Sequence, residues 1–94
     1  MPADILEKNN LNRGNIEFYP NPFSFSTKFR TNDGHGRNYQ LTFYDLLGRK
    51  VKNMQIPSSD SEHTIYRDGL GNGMYIYEVK ENGSYFGKGK IIIN

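Results

Sequence analysis

Cysteine is absent from these 94 residues. That excludes a disulfide framework, a thiol nucleophile and a cysteine-type zinc site, and leaves the compartment open. Tryptophan is absent too, so seven Tyr and six Phe carry all the aromatic surface. Net charge is nearly missing: 12 Lys and Arg stand against 10 Asp and Glu, and the net +2 is spread along the chain. So weak and dispersed a charge does not argue for nucleic acid. No apolar run approaches the length of a membrane span. Met1-Pro2-Ala3-Asp4 has neither the basic start nor the apolar core of a secretory signal peptide. The chain therefore reads as either cytosolic or a piece of a longer protein whose signal lies elsewhere. Helical periodicity is missing as well, and ten Gly and four Pro point to turns. A chain of this length makes one domain and buries very roughly 60–65% of its unfolded surface, so every large apolar residue matters.

What is present is alternation. Tyr39 to Tyr44 alternate and are rich in aromatic and β-branched side chains, which suits a pleated strand. Asp45-Leu46-Leu47-Gly48 breaks the pattern. Asp45 can accept a hydrogen bond from the backbone two residues on, which starts a turn. Gly48 can take a positive φ at no steric cost, which closes the turn into a hairpin. Arg49 to Met54 runs back, with Val51 as the clearest inward residue. A lone hairpin is marginal in water, so the other strands must cover this one.

Residues 1–15 are polar and without a period, and read as a linker. Ile16 to Tyr19 is the first strand. Pro20-Asn21-Pro22 stops it, because each Pro lacks a backbone donor and restricts the residue before it. Phe23 to Arg30 resumes a strand pattern, with Phe23, Phe25 and Phe29 on one side and Ser24, Ser26 and Lys28 on the other. Asn32 to Gly36 and Pro57 to Ser61 are turn clusters by composition. Glu62 to Arg67 reads as a short strand, Asp68 to Gly73 as irregular, and Met74 to Lys80 as a strong strand. Asn82-Gly83 fits a two-residue primed turn leading into a last strand, Tyr85 to Ile93. Seven short strands with regular turn signals predict an all-β fold over residues 16–94, a seven-stranded antiparallel β-sandwich of the Ig-like kind. A small open barrel is the competing all-β solution.

Candidate chemistry is sparse. His35 lies between two glycines and His63 in a predicted strand, with no spacing that suggests ligation. Asp33, Asp45, Asp60 and Asp68 fall in loops. A carboxylate pair can do acid–base work, but Asp in turns is the structural default. Ser58, Ser59 and Ser61 lie near His63, yet proximity in sequence does not make a triad. The Gly69-Gly71-Gly73 run lacks the Lys-Ser/Thr of a phosphate loop and leads into a strand where such a loop leads into a helix. No catalytic residue, metal ligand or cofactor site is assigned, and the chain reads as a non-enzyme.

Tyr75, Tyr77 and Tyr85 could form an aromatic platform for a sugar, the mark of a carbohydrate-binding or adhesive module appended to a secreted enzyme. Tyr75, Tyr77 and Val79 share parity, which favours packing instead. Lys88-Gly89-Lys90-Ile91-Ile92-Ile93-Asn94 ends the chain almost on its most apolar run. Such a segment is an aggregation hazard unless paired. Either it pairs inside the sandwich or a partner reads it. Strand addition would supply backbone bonds to that partner, and Gly87 and Gly89 would let its backbone approach closely.

Three motifs in order carry a resemblance: Tyr19-Pro20-Asn21-Pro22-Phe23; then Thr42 to Val51, with Asp45, Gly48 and Arg49; then Asn72-Gly73-Met74-Tyr75-Ile76-Tyr77 followed by Gly87 to Ile93. Over residues 16 to 94 the chain resembles the type IX secretion system (Por secretion system) C-terminal sorting domain, type A, found at the end of secreted Bacteroidetes proteins. It departs at Thr31–Asn38, shorter and more glycine-rich than in the family, and at Arg67 to Gly71. The resemblance implies an address label on a larger N-terminal cargo, exported to the periplasm by a signal peptide of its own. It implies recognition of the domain by the outer-membrane translocon, with Lys88 to Asn94 as the sorting signal. It further implies removal by a sortase-like peptidase within residues 1–15, after which the cargo is released or attached to lipopolysaccharide.

Overall fold

The computed structural model describes residues 15–31, 38–57 and 62–94. The predicted linker up to residue 14, the turn cluster Asn32–Gly36 with Asp33 and His35, and the serines and Asp60 of the 58–61 loop lie outside the described residues. Seven strands follow in order: β1 (Ile16–Tyr19), β2 (Ser26–Thr31), β3 (Tyr39–Tyr44), β4 (Lys50–Ile56), β5 (Glu62–Tyr66), β6 (Gly73–Glu81) and β7 (Ser84–Ile93). They pair antiparallel into one sheet of order β1-β2-β5 and another of order β4-β3-β6-β7. Tight turns join the pairs β3–β4 and β6–β7, while the connections β2–β3, β4–β5 and β5–β6 cross from sheet to sheet. Two open sheets with these crossings form an Ig-like sandwich, not a barrel. Among the described residues no helix is long and apolar enough to cross a membrane.

The core sits between the sheets. Tyr39, Leu41 and Phe43 point inward from β3, which is hydrogen-bonded on both sides, and this is why the central hairpin organises the fold. Tyr75, Tyr77 and Val79 of β6 and Ile91 and Ile93 of β7 complete that inner face, as the two-residue period requires. Phe18, Phe29 and Ile65 answer from the other sheet. Aromatic rings meet across the interface, with Phe18 4.6 Å from Tyr77 and Phe29 6.0 Å from Tyr39, and within the second sheet Tyr39 lies 5.0 Å from Phe86. Such tilted and edge-on pairs add to the stabilisation from area buried.

Two readings of parity need correction. Phe23 and Phe29 are buried, but Phe25 is 69% exposed and β2 starts only at Ser26. The chain leaves the first sheet after Tyr19 to pair Phe23 with Ile93 of the second sheet, then returns, so alternation does not run through residues 23–26. On β4, Val51 is only half-buried, at a bulge in the pairing between Phe43 and Tyr44. Ile56, beyond the expected end of that strand, is the side chain buried in the core.

The turn chemistry is as expected. Leu47 N–H donates to Asp45 Oδ1 at 2.9 Å, and Gly48 has φ of +86°. Asn82 and Gly83 both take positive φ, as a primed turn requires. A Cβ on Gly48 would meet nothing within 4 Å, so a side chain there is opposed by backbone conformation alone. Gly48→Val should therefore destabilise by more than about 1 kcal/mol, because a β-branched residue is penalised at positive φ. An unchanged melting temperature would show that this turn can be rebuilt at no cost.

Candidate functional site

The terminal run Ile91–Ile93 forms the last part of β7, an edge strand of its sheet. Its inner side chains, Ile91 and Ile93, are in the core, while Ile92 faces out. The backbone groups on the outer edge alternate through residues 90, 92 and 94, and a segment some 70 residues earlier engages them. Asn21 Nδ2 donates to Lys90 O at 3.2 Å, and Ile92 N–H donates to Asn21 Oδ1 at 3.0 Å. Phe23 N–H donates to Ile92 O and Asn94 N–H donates to Phe23 O, both at 2.9 Å. The opening motif thus clasps the terminal motif with four hydrogen bonds. The side-chain amide suits this role because it offers a donor and an acceptor side by side.

The clasp is itself fixed from the first sheet. Thr27, buried at an inward position, donates its hydroxyl to Pro20 O at 2.6 Å. Arg67 N–H donates to Phe25 O, and the Arg67 guanidinium donates to Ser24 O at 2.8 Å. The same guanidinium donates to Leu70 O and to Asn72 Oδ1, and Tyr75 O–H donates to Gly71 O at 2.7 Å. Gly73 is the register partner of Ile93. Tyr19 to Phe23, Gly73 to Tyr75 and Lys90 to Asn94 therefore meet at one end of the sandwich. Thr27 and Arg67 escaped the sequence reading. A polar β-branched residue at an inward parity was the available signal for the first, and an Arg entering an Asp-Gly turn for the second.

Asp45, Gly48 and Arg49 are not part of that cluster; they form the β3–β4 turn at the same end, separated from β7 by β6. Asp45 Oδ1 also accepts from Arg49 N–H at 2.9 Å, and Oδ2 accepts from Arg49 Nε at 2.8 Å. The Arg49 amide above all holds the Asp45 carboxyl below its ordinary pKa; desolvation, next in size, opposes it, and the Arg49 side chain and the Leu47 amide add to the lowering. Asp68, the other candidate loop carboxylate among the described residues, accepts a short bond from Lys52. Each of these carboxylates is held by a cation. His63 lies in mid-β5 opposite Phe29. Among the described residues no group of three or more His, Cys, Asp or Glu is placed to hold a metal ion.

The glycines of the terminal motif have another use than the one expected. A Cβ on Gly89 would lie 2.5 Å from the Tyr77 hydroxyl and 2.7 Å from Cζ of its ring. What approaches Gly89 closely is this chain's own tyrosine, across the β6–β7 pair, and no partner backbone is needed to fill that face. Strand addition along residues 90–94 meets the clasp in the same way, since those edge groups are already bonded. A sugar platform fares no better, because Tyr75 and Tyr77 are buried.

Comparison with known proteins agrees with the motif geometry. The curated proteins give no match. A family described as the secretion system C-terminal sorting domain matches residues 17–94, the whole span from β1 to the clasped end of β7. The chain belongs to that family, and it is a C-terminal sorting signal for type IX secretion.

Proposed function

We propose that the domain is of type A, that Lys88 to Asn94 carry the signal the machinery reads, and that residues 1–15 are the linker in which a sortase-like peptidase cuts. The partners are the outer-membrane translocon and that peptidase, with a cargo domain on the N-terminal side. The domain itself does no chemistry; its work is done in the periplasm, from which the cargo leaves to be released or held at the cell surface. The observation that supports this reading most is the clasp. Two motifs of the family, far apart in sequence, are joined by four hydrogen bonds at the strand proposed to be read.

Deleting Lys90 to Asn94 is a poor test by itself, because Ile91 and Ile93 are core residues and their loss threatens the fold. Lys90→Ala with Ile92→Ser changes only side chains that face outward. A reporter with an N-terminal signal peptide and residues 1–94 should leave a type IX-competent cell, and the same reporter without the domain should stay in the periplasm. The Lys90→Ala/Ile92→Ser form should fold and yet stay behind. Export of the domainless reporter would sink the sorting reading. Normal export of the double variant would remove the terminal residues from the signal.

A further inference from the structure

Scattered exposed hydrophobic side chains are ordinary on a protein surface. Here the large ones among the described residues are gathered. Tyr19 ends β1, Phe25 precedes β2 and Tyr66 ends β5, with the Phe25 and Tyr66 rings edge to face at 5.6 Å. Leu46 and Leu47 cap the β3–β4 turn, 65% and 80% exposed. Met74 and Ile92 face each other across β6 and β7 on the outer face.

The register puts all of these at one pole of the sandwich. In the first sheet Tyr19 lies opposite Lys28 and Tyr66 opposite Ser26, at the start of β2. In the second, Tyr44 lies opposite Ile76, and Ile76 opposite Lys90. The Phe23–Ile93 bridge joins these two ends. The chain enters β1 at the other pole, where β2 and β4 end, β3 and β5 begin and the β6–β7 turn lies. The apolar pole therefore points away from the side on which preceding chain is attached. Its charge is net basic, with Arg49, Lys50, Lys52, Arg67 and Lys90 outnumbering Asp45 and Asp68, which pair with Arg49 and Lys52.

We propose that this pole is a docking surface for one protein partner whose complementary face is apolar and acidic. The proposal rests on the sorting reading, under which that partner belongs to the export machinery. Exposed apolar clusters of this kind mark interaction sites. A protein is favoured over a lipid surface by how firmly the anchors are held. The turn bearing Leu46 and Leu47 is fixed by five hydrogen bonds among Asp45, Leu47, Gly48 and Arg49. Arg67 fixes the backbone on both sides of the Phe25 ring. Rigid apolar anchors lower the ordering cost of docking into a shaped pocket, an advantage that a fluid bilayer does not exploit.

The test uses the exported reporter with residues 1–94 and variants at separate positions off the terminal strand: Leu46→Ser/Leu47→Ser, Phe25→Ser and Lys50→Glu. All are surface changes and should leave the circular dichroism and melting temperature close to the parent's. The two apolar variants should reduce the exported reporter about tenfold or more and the charge reversal by less, each with accumulation in the periplasm; a tenfold effect corresponds to about 1.4 kcal/mol of lost docking energy. Gln55→Ser, at the far pole, should export normally. If the folded apolar variants are exported like the parent while Lys90→Ala/Ile92→Ser is not, the docking surface is wrong and the sorting reading stands. A parent that stays in the periplasm overturns both. Sedimentation of the purified parent, but not of Leu46→Ser/Leu47→Ser, with vesicles of anionic phospholipid would identify a membrane contact and overturn the protein partner.

Discussion

Phe23→Ala should cost about 3–5 kcal/mol, the usual range for emptying a phenylalanine site in a core. A domain of this size has roughly 5–15 kcal/mol in total, so the variant should sit near the edge of folding. The ring is 2% exposed and enters the space between the sheets from the clasp rather than from a regular strand. The two backbone bonds of residue 23 to Ile92 and Asn94 do not depend on the side chain, so the loss is one of packing. Phe25→Ala is the matching control. It removes the same side chain two residues away, from an exposed site with one edge-on contact to Tyr66, and should cost less than about 1 kcal/mol. Urea unfolding of both variants checks the contrast. Equal costs would mean that residues 23–26 run as a continuous strand with both rings inward.

Gly89→Ala should destabilise by about 1–3 kcal/mol, the range for forcing atoms into a filled core. The sign is the informative part, since glycine inside a strand is ordinarily worse than alanine by roughly 0.5–1 kcal/mol. It reverses here because the added Cβ would fall 2.5–2.9 Å from three atoms of Tyr77. That ring cannot simply swing aside: it is buried, with Phe18 4.6 Å away on the opposite sheet. Burial first of all holds its hydroxyl above the ordinary tyrosine pKa. If the clash is with the ring, Gly89→Ala should cost little in a Tyr77→Leu background, and a double-mutant cycle measures the coupling. The same penalty in both backgrounds would place the conflict in the backbone.

Most of the fold was legible because its signals are local. Tyr39 to Tyr44 and Met74 to Lys80 alternate cleanly, and Asp45, Gly48 and Asn82-Gly83 carry turn chemistry that needs no tertiary context. Reading failed where a long-range contact overrides the local period. Parity puts Phe25 on the side of Phe23 and Phe29, and nothing near it in sequence signals that Phe23 leaves to pair with Ile93. Val51, the clearest inward residue of Arg49 to Met54 by local pattern, is displaced by a bulge that only the pairing with β3 sets. At the candidate site the motifs themselves were readable, but not their union. That Asn21 serves Lys90 and Ile92 is a fact of topology, as is the filling of the Gly89 face by Tyr77.

The clasp also fixes how the domain would carry a load. The Phe23 segment runs parallel to the end of β7, and the chain reaches it from β1, whose start lies at the opposite pole. Tension between the start of β1 and Asn94 would pull the two segments of the clasp past each other along their length. Its four hydrogen bonds would then be strained together, in shear, whereas an antiparallel hairpin pulled at its open end parts one bond at a time. A cargo drawn on from the β1 side while the β7 end is gripped would be working against that shear connection, and the short Asn21–Phe23 segment would be the coupling through which the force passes.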